Sequence, residues 1–176
     1  MRSSLLALTG VLLVVSSSSA QNVVPGDRPA GNIRGTRSAP VARNGMIATS
    51  QALASAAGLQ AMQDGGNAID AAITAAAVLS VVEPDMNGIG GDLFAIVYDA
   101  KTKKVYGLDS SGRSSHRATP AEFARRGLSS VPDGGPLSVD VPGVIEGWSQ
   151  LLSRFGTLPL RKALQPAIAY ARDGFG

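Results

Sequence analysis

The segment from Asp64 to Asp92, DGGNAIDAAITAAAVLSVVEPDMNGIGGD, constrains the fold of this chain more than any other. Two glycine turns bracket one run of Ala, Ile, Val and Leu with almost no polar relief. Asn67 is placed to cap a helix, and Asp70 follows three residues later, close to a capping box. Glu83-Pro84 supplies the stop, because proline excludes the helical conformation for the residue before it. A helix apolar nearly all round is not amphipathic and must be covered on most sides. Such a helix between two glycine corners points to part of a large, layered α/β protein rather than a small two-layer domain.

The rest of the chain alternates helical and strand patterns around that helix. Met46 to Thr49 is a short strand candidate. A helix is expected over about 51–63, where Leu53, Ala56, Leu59 and Met62 recur at helical spacing and Ala57 and Ala61 widen the stripe; its many alanines favour close helix packing, and Gly65-Gly66 ends it. Residues 93–98, LFAIVY, read as a strand buried on both faces. A polar turn at 99–103 leads to a partner strand at 105–108. Segment 109–119 is polar and loop-like, and Pro120 opens a short helix. A short strand is expected at 138–141, and helices over 144–155 and about 160–172, the last with Leu164, Ile168 and Ala171 on one face.

Composition excludes several functions. The formal net charge is +3, from 16 basic and 13 acidic residues, with no dense basic run, which argues against nucleic acid as a partner. There is no cysteine and a single histidine, His116. Disulfides and a thiol nucleophile are excluded, a metal site has too few ligands, and no cofactor is expected. No G-x-S-x-G elbow is present for a serine triad. Gly88-Ile89-Gly90-Gly91 lacks the spacing of a dinucleotide loop or P-loop and follows a helix, so it reads as a corner where backbone packs closely. Asp70, Glu83, Asp85 and Asp92 read as caps and turn residues rather than a catalytic carboxylate pair.

The N-terminus has the form of a cleavable signal peptide: Arg2, an apolar run over 5–15, then small residues ending at Ala20. The run is shorter than the about 20 residues that span a bilayer. The expectation is a secreted or periplasmic protein with residues 1–20 as signal, 21–44 as a Pro/Gly/Arg-rich leader, and 45–176 as the folded portion.

GGNAIDAA (65–72) followed by VEPDMNGIGGDLF (82–94) resembles the start of the large subunit of γ-glutamyltranspeptidases, also called glutathione hydrolases, which are N-terminal-nucleophile hydrolases. The resemblance continues in order through ASAAGLQAMQDGG (54–66), VYDAKTKKVYGLDSSGR (97–113), VDVPGVIEGW (139–148) and LQPAIAYARDGF (164–175). It implies an α/β fold, part of an αββα sandwich of two central sheets with outer helices, incomplete in this stretch. It also implies transfer of the γ-glutamyl group of glutathione-like donors to water or an amino acid. The family's nucleophile is the N-terminal threonine of a small subunit freed by self-cleavage, and it matches no position of this chain. The chain therefore reads as the N-terminal part of a precursor, inactive alone, whose partner is the remainder of that precursor.

The resemblance also assigns a binding residue. In the family an arginine just after this strand binds the α-carboxylate of the γ-glutamyl group, and Arg113 in SSGR is the matching position. A guanidinium suits that role because its fixed fork grips a carboxylate through two bonds. Arg117, in HRATP, is the competitor, and a surface pair between Arg113 and Asp109 is the alternative without a substrate. Asp92 stands where many family members carry another glycine. That departure and the short SSGR motif leave open a related amidohydrolase or acylase on the same scaffold, or a truncated chain that acts only by association.

Overall fold

The computed structural model describes residues 41–176; the signal-peptide and most of the leader expectations lie outside the described residues. Eight elements follow in order: α1 (Ala52–Gln63), α2 (Ala68–Val82), β1 (Leu93–Asp99), β2 (Lys104–Ser110), α3 (Pro120–Arg125), α4 (Val144–Phe155), α5 (Leu160–Ala163) and α6 (Gln165–Asp173). The strands form an antiparallel two-stranded sheet, with Leu93 opposite Ser110 and Asp99 opposite Lys104. The fold is mixed α/β.

Helix α2 begins and ends where its local signals place it. The Asn67 side chain accepts from the N–H groups of Ile69 and Asp70, and the Asp70 carboxylate accepts from the Asn67 N–H at 2.7 Å, completing a capping box. Asp70, Ala71, Ile73, Thr74, Ala75, Ala77 and Val78 are buried, because α1, α4, α5 and α6 all pack against this helix. Helix α1 lies closest, but not on its large residues. Its buried face is Ala54, Ala57, Gly58 and Ala61, whereas Leu59 is 43% exposed. The reason is steric: a Cβ on Gly58 would lie 2.9 Å from the Ala71 carbonyl oxygen, so only small side chains fit between the helices. Gly65, at φ 93°, turns the chain from α1 into α2.

Four other expectations change. Residues 46–49 form no strand; they run beside α1 and α2, with Ile47 half-buried and reaching the Gly58 position. Residues 138–141 also form no strand. Pro136 and Pro142 remove donors on either side, and Val139 and Val141 are exposed. The helix expected over 160–172 breaks at Leu164, since Pro166 has no N–H to continue the ladder; Ala163 and Ala167 are buried there, and Ile168 is exposed. Strand β1 is covered on one face only. Val97 is buried on the side of α4, while Phe94, Ile96 and Tyr98 point away and are 66%, 83% and 62% exposed.

Helix α4 supplies the layer beneath the hairpin. Val144, Gly147, Trp148, Leu151 and Leu152 are buried at helical spacing. Its start therefore sits against the end of β2, where the candidate site begins.

Candidate functional site

The chain leaves β2 at Ser110 and enters SSGRSSHRAT. Three segments meet there: the corner ending at Asp92, the loop after β2, and the approach to α4. The buried Ser110 hydroxyl donates to the Gly143 carbonyl at 2.8 Å. The N–H groups of Gly143 and Val144 donate to the Gly91 carbonyl at 3.1 and 3.2 Å. The Val141 N–H donates to the Arg113 carbonyl at 3.2 Å, and the Gly112 N–H to Asp92 Oδ1 at 3.4 Å.

The junction leaves no room for side chains on its glycines. A Cβ on Gly112 would lie 1.4 Å from the Val141 carbonyl oxygen, and one on Gly143 1.9 Å from that of Ser110. The corner itself is different from expectation. A Cβ on Gly88 or Gly90 would meet no atom within 4 Å among the described residues, so the close packing is at Gly112 and Gly143 instead. Sequence reasoning missed these two; the only signal was glycine beside the SSGR and PG steps, which does not reveal contacts between positions 29 and 33 residues apart.

Arg113 projects from this junction as an exposed side chain with no ion pair or hydrogen bond of its own among the described residues. Asp109, its possible surface partner, is engaged elsewhere. It accepts from the Ser111 N–H at 3.0 Å and the Ser111 hydroxyl at 2.8 Å, and these bonds hold its carboxyl below the usual range. Arg117 is exposed in the turn that follows, where the bonds among the described residues are local: Ala118 N–H to the Ser115 carbonyl, Thr119 N–H to the Arg117 carbonyl, and Arg117 N–H to the Ser115 hydroxyl.

An open groove of about 950 Å³ runs beside the loop, lined by Arg117, α3 and residues 136–140, with Arg113 outside its lining. Its positive charge is partly spent. Glu122 takes both Arg125 and Arg126 at 2.8 and 2.7 Å, which pull its carboxyl down to about 2. Arg117 is the groove's one guanidinium without an ion pair among the described residues. His116 is exposed, and no three His, Asp or Glu side chains converge as a metal centre would need among the described residues.

Arg113 is thus an exposed arginine on the loop after β2, whose backbone is tied by hydrogen bonds to the corner and to the approach to α4. The comparisons make the class specific: the family model described as Gamma-glutamyltranspeptidase matches residues 54–176, and the chain belongs to that family. The glutathione hydrolase proenzyme of Bacillus subtilis is 36% identical over 97% of this chain and 30% of its own length. The crystal structure of Helicobacter pylori gamma-glutamyltranspeptidase matches with a TM-score of 0.70 at 32% identity, over 78% of this chain and 40% of that one. That of cephalosporin acylase from Bacillus halodurans matches with a TM-score of 0.73 at 43% identity, over 84% of this chain and 28% of that one. The chain thus spans about a third of the length of such relatives.

Proposed function

We propose that the complete protein transfers the γ-glutamyl group of glutathione-like donors to water or to an amino acid, and that Arg113 binds the donor's α-carboxylate. The observation that carries the reading is the family match over 54–176. Within the site, the unengaged Arg113 guanidinium supports it. The backbone at 112–113 is tied to Asp92 and Val141, far away in sequence, whereas among the described residues the turn holding Arg117 has only local hydrogen bonds. A charged group that must meet a small ligand gains most from such a rigid base. The nucleophile belongs to a small subunit cut from the same precursor, so residues 41–176 supply scaffold and a carboxylate anchor, not the reacting group.

The exposed face of β1, with Phe94, Ile96 and Tyr98 flanked by Val105, fits an αββα sandwich in which a second sheet of the precursor covers it. Secretion to the periplasm or medium, with cleavage after Ala20, is part of the same proposal and rests on the sequence of residues 1–20.

Arg113→Ala in the complete processed protein is expected to raise KM for γ-glutamyl-p-nitroanilide by a factor corresponding to about 2–5 kcal/mol, the usual loss for one partner of a hydrogen-bonded charge pair. An unchanged KM would sink the assignment. A second reading, an acylase or amidohydrolase on the same scaffold, is favoured by the 43% identity to the cephalosporin acylase. Turnover of acyl-cephalosporin amides with none of γ-glutamyl-p-nitroanilide would select it.

A further inference from the structure

A carboxylate anchor is only as good as the backbone that aims it, and here three elements share that task. The loop carrying Arg113 is secured at Ser110, at Gly112 and at Arg113 itself, by partners 33, 20 and 28 positions away in sequence. Two of these ties depend on a side chain. Ser110 Oγ reaches the Gly143 carbonyl and is buried; Asp92 Oδ1 receives the Gly112 N–H and is exposed. The third, Val141 N–H to the Arg113 carbonyl, is main chain to main chain and follows from the close approach at Gly112.

We propose that Ser110 and Asp92 are positioning residues for Arg113, clasping the loop after β2 between the corner and the start of α4. The inference rests on the carboxylate-anchor reading of Arg113. Neither side chain has to touch substrate. Ser110 fixes the end of β2 on Gly143, the residue just before α4, and Asp92 fixes the next peptide but one on the corner. Together they restrict the arc through which the guanidinium swings, so that less is lost in ordering it when a carboxylate binds. Asp92, the residue in place of a further glycine, then has a use that a glycine could not supply.

The test uses the complete processed protein and γ-glutamyl-p-nitroanilide, with KM and kcat measured separately and thermal unfolding as a check on folding. Ser110→Ala is expected to raise KM by about tenfold with kcat within about twofold, as for a displaced binding group rather than a lost catalytic one. In an Arg113→Ala background the same change adds nothing to KM, because both act through one group. Asp92→Ala is expected to raise KM by roughly threefold, and Asp92→Asn, which keeps the Oδ1 acceptor, to recover most of that loss. Should Ser110→Ala fail to fold, the exposed Asp92 pair carries the test alone. If Arg113→Ala raises KM while Ser110→Ala or Asp92→Ala does not, or if the effects add in the double variant, the clasp is wrong and the anchor stands. If Arg113→Ala itself leaves KM unchanged, the anchor reading falls and the clasp with it.

Discussion

The two ends of α2 look alike in sequence and differ in structure. On the N-terminal side, Gly65-Gly66 precedes Asp70, which is fully buried; on the C-terminal side, past Val82 and just before β1, Gly90-Gly91 precedes Asp92, which is exposed. Asp70 accepts from the Asn67 N–H, the Thr157 N–H and hydroxyl, and the Leu158 N–H, at 2.7 to 2.9 Å. It therefore caps its own helix and also ties down the turn between α4 and α5. Asn67 adds a second tie through Nδ2 to the Phe155 carbonyl at 2.6 Å. Among the described residues, Asp92 accepts once, at 3.4 Å. Burial and the number of donors, not the neighbouring glycines, separate a structural lock from a residue free to serve a site.

The largest effect is expected where the lock is opened. Asp70→Ala would remove the buried acceptor shared by the Asn67 N–H, the exposed Thr157 and the half-buried Leu158, at about 1–3 kcal/mol for each donor that water cannot reach. We expect a loss of roughly 3–5 kcal/mol in denaturant unfolding of the complete protein, or failure to fold, a size reserved for a few mechanisms such as this. A loss below about 1 kcal/mol would put Asp70 in the same class as an ordinary surface cap and erase the contrast.

A milder perturbation is acid. Burial opposes ionisation of Asp70, but the hydrogen bonds from Asn67, Leu158 and Thr157 outweigh it and hold the carboxyl below its ordinary value. A carboxylate whose folded pKa is depressed stabilises the fold fully above the unfolded value of about 3.9, and that contribution is lost as pH falls through the folded value. Unfolding midpoints of the wild type should therefore drop more steeply below about pH 4 than those of Asp70→Asn, which has no proton to take up. Parallel curves for the two proteins would show that the lock does not depend on the charge.

Much of the N-terminal lock was legible. A capping box and a Glu-Pro stop are local signals, and α2 spans Ala68–Val82 as they require. What could not be read was the second job of Asp70, because its partners lie 87 and 88 residues away and spacing carries no record of them. The face of α1 was legible in part for a related reason: Ala57 and Ala61 of the expected stripe are buried, but periodicity also weights Leu59, which is exposed, while the helix contact adds Ala54 and Gly58 for their smallness. On β1 the apolar run correctly marks a strand, but residues 41–176 cover only the Val97 face, so alternation appears where two-sided burial was expected. Arg113 was singled out as the candidate anchor by its motif and by the strand before it. Its support at Ser110, Gly112 and Gly143 comes from three separate segments and becomes visible only when they are folded together.

The smallest effect should fall at the other end of the helix. Asp92→Ala removes one long hydrogen bond from an exposed carboxylate, and the main-chain ties of Gly143 and Val144 to the Gly91 carbonyl remain. Its cost in denaturant unfolding of the complete protein is expected to stay within about 0.5 kcal/mol, the range of ordinary surface substitutions, while the proposed clasp has the same variant raise KM for the donor. That split is what distinguishes aiming a loop from holding a fold, because a structural residue would lower stability and binding together. A destabilisation by Asp92→Ala approaching that of Asp70→Ala would mean that both glycine turns close the same kind of lock, with the corner bearing on the fold as much as on Arg113.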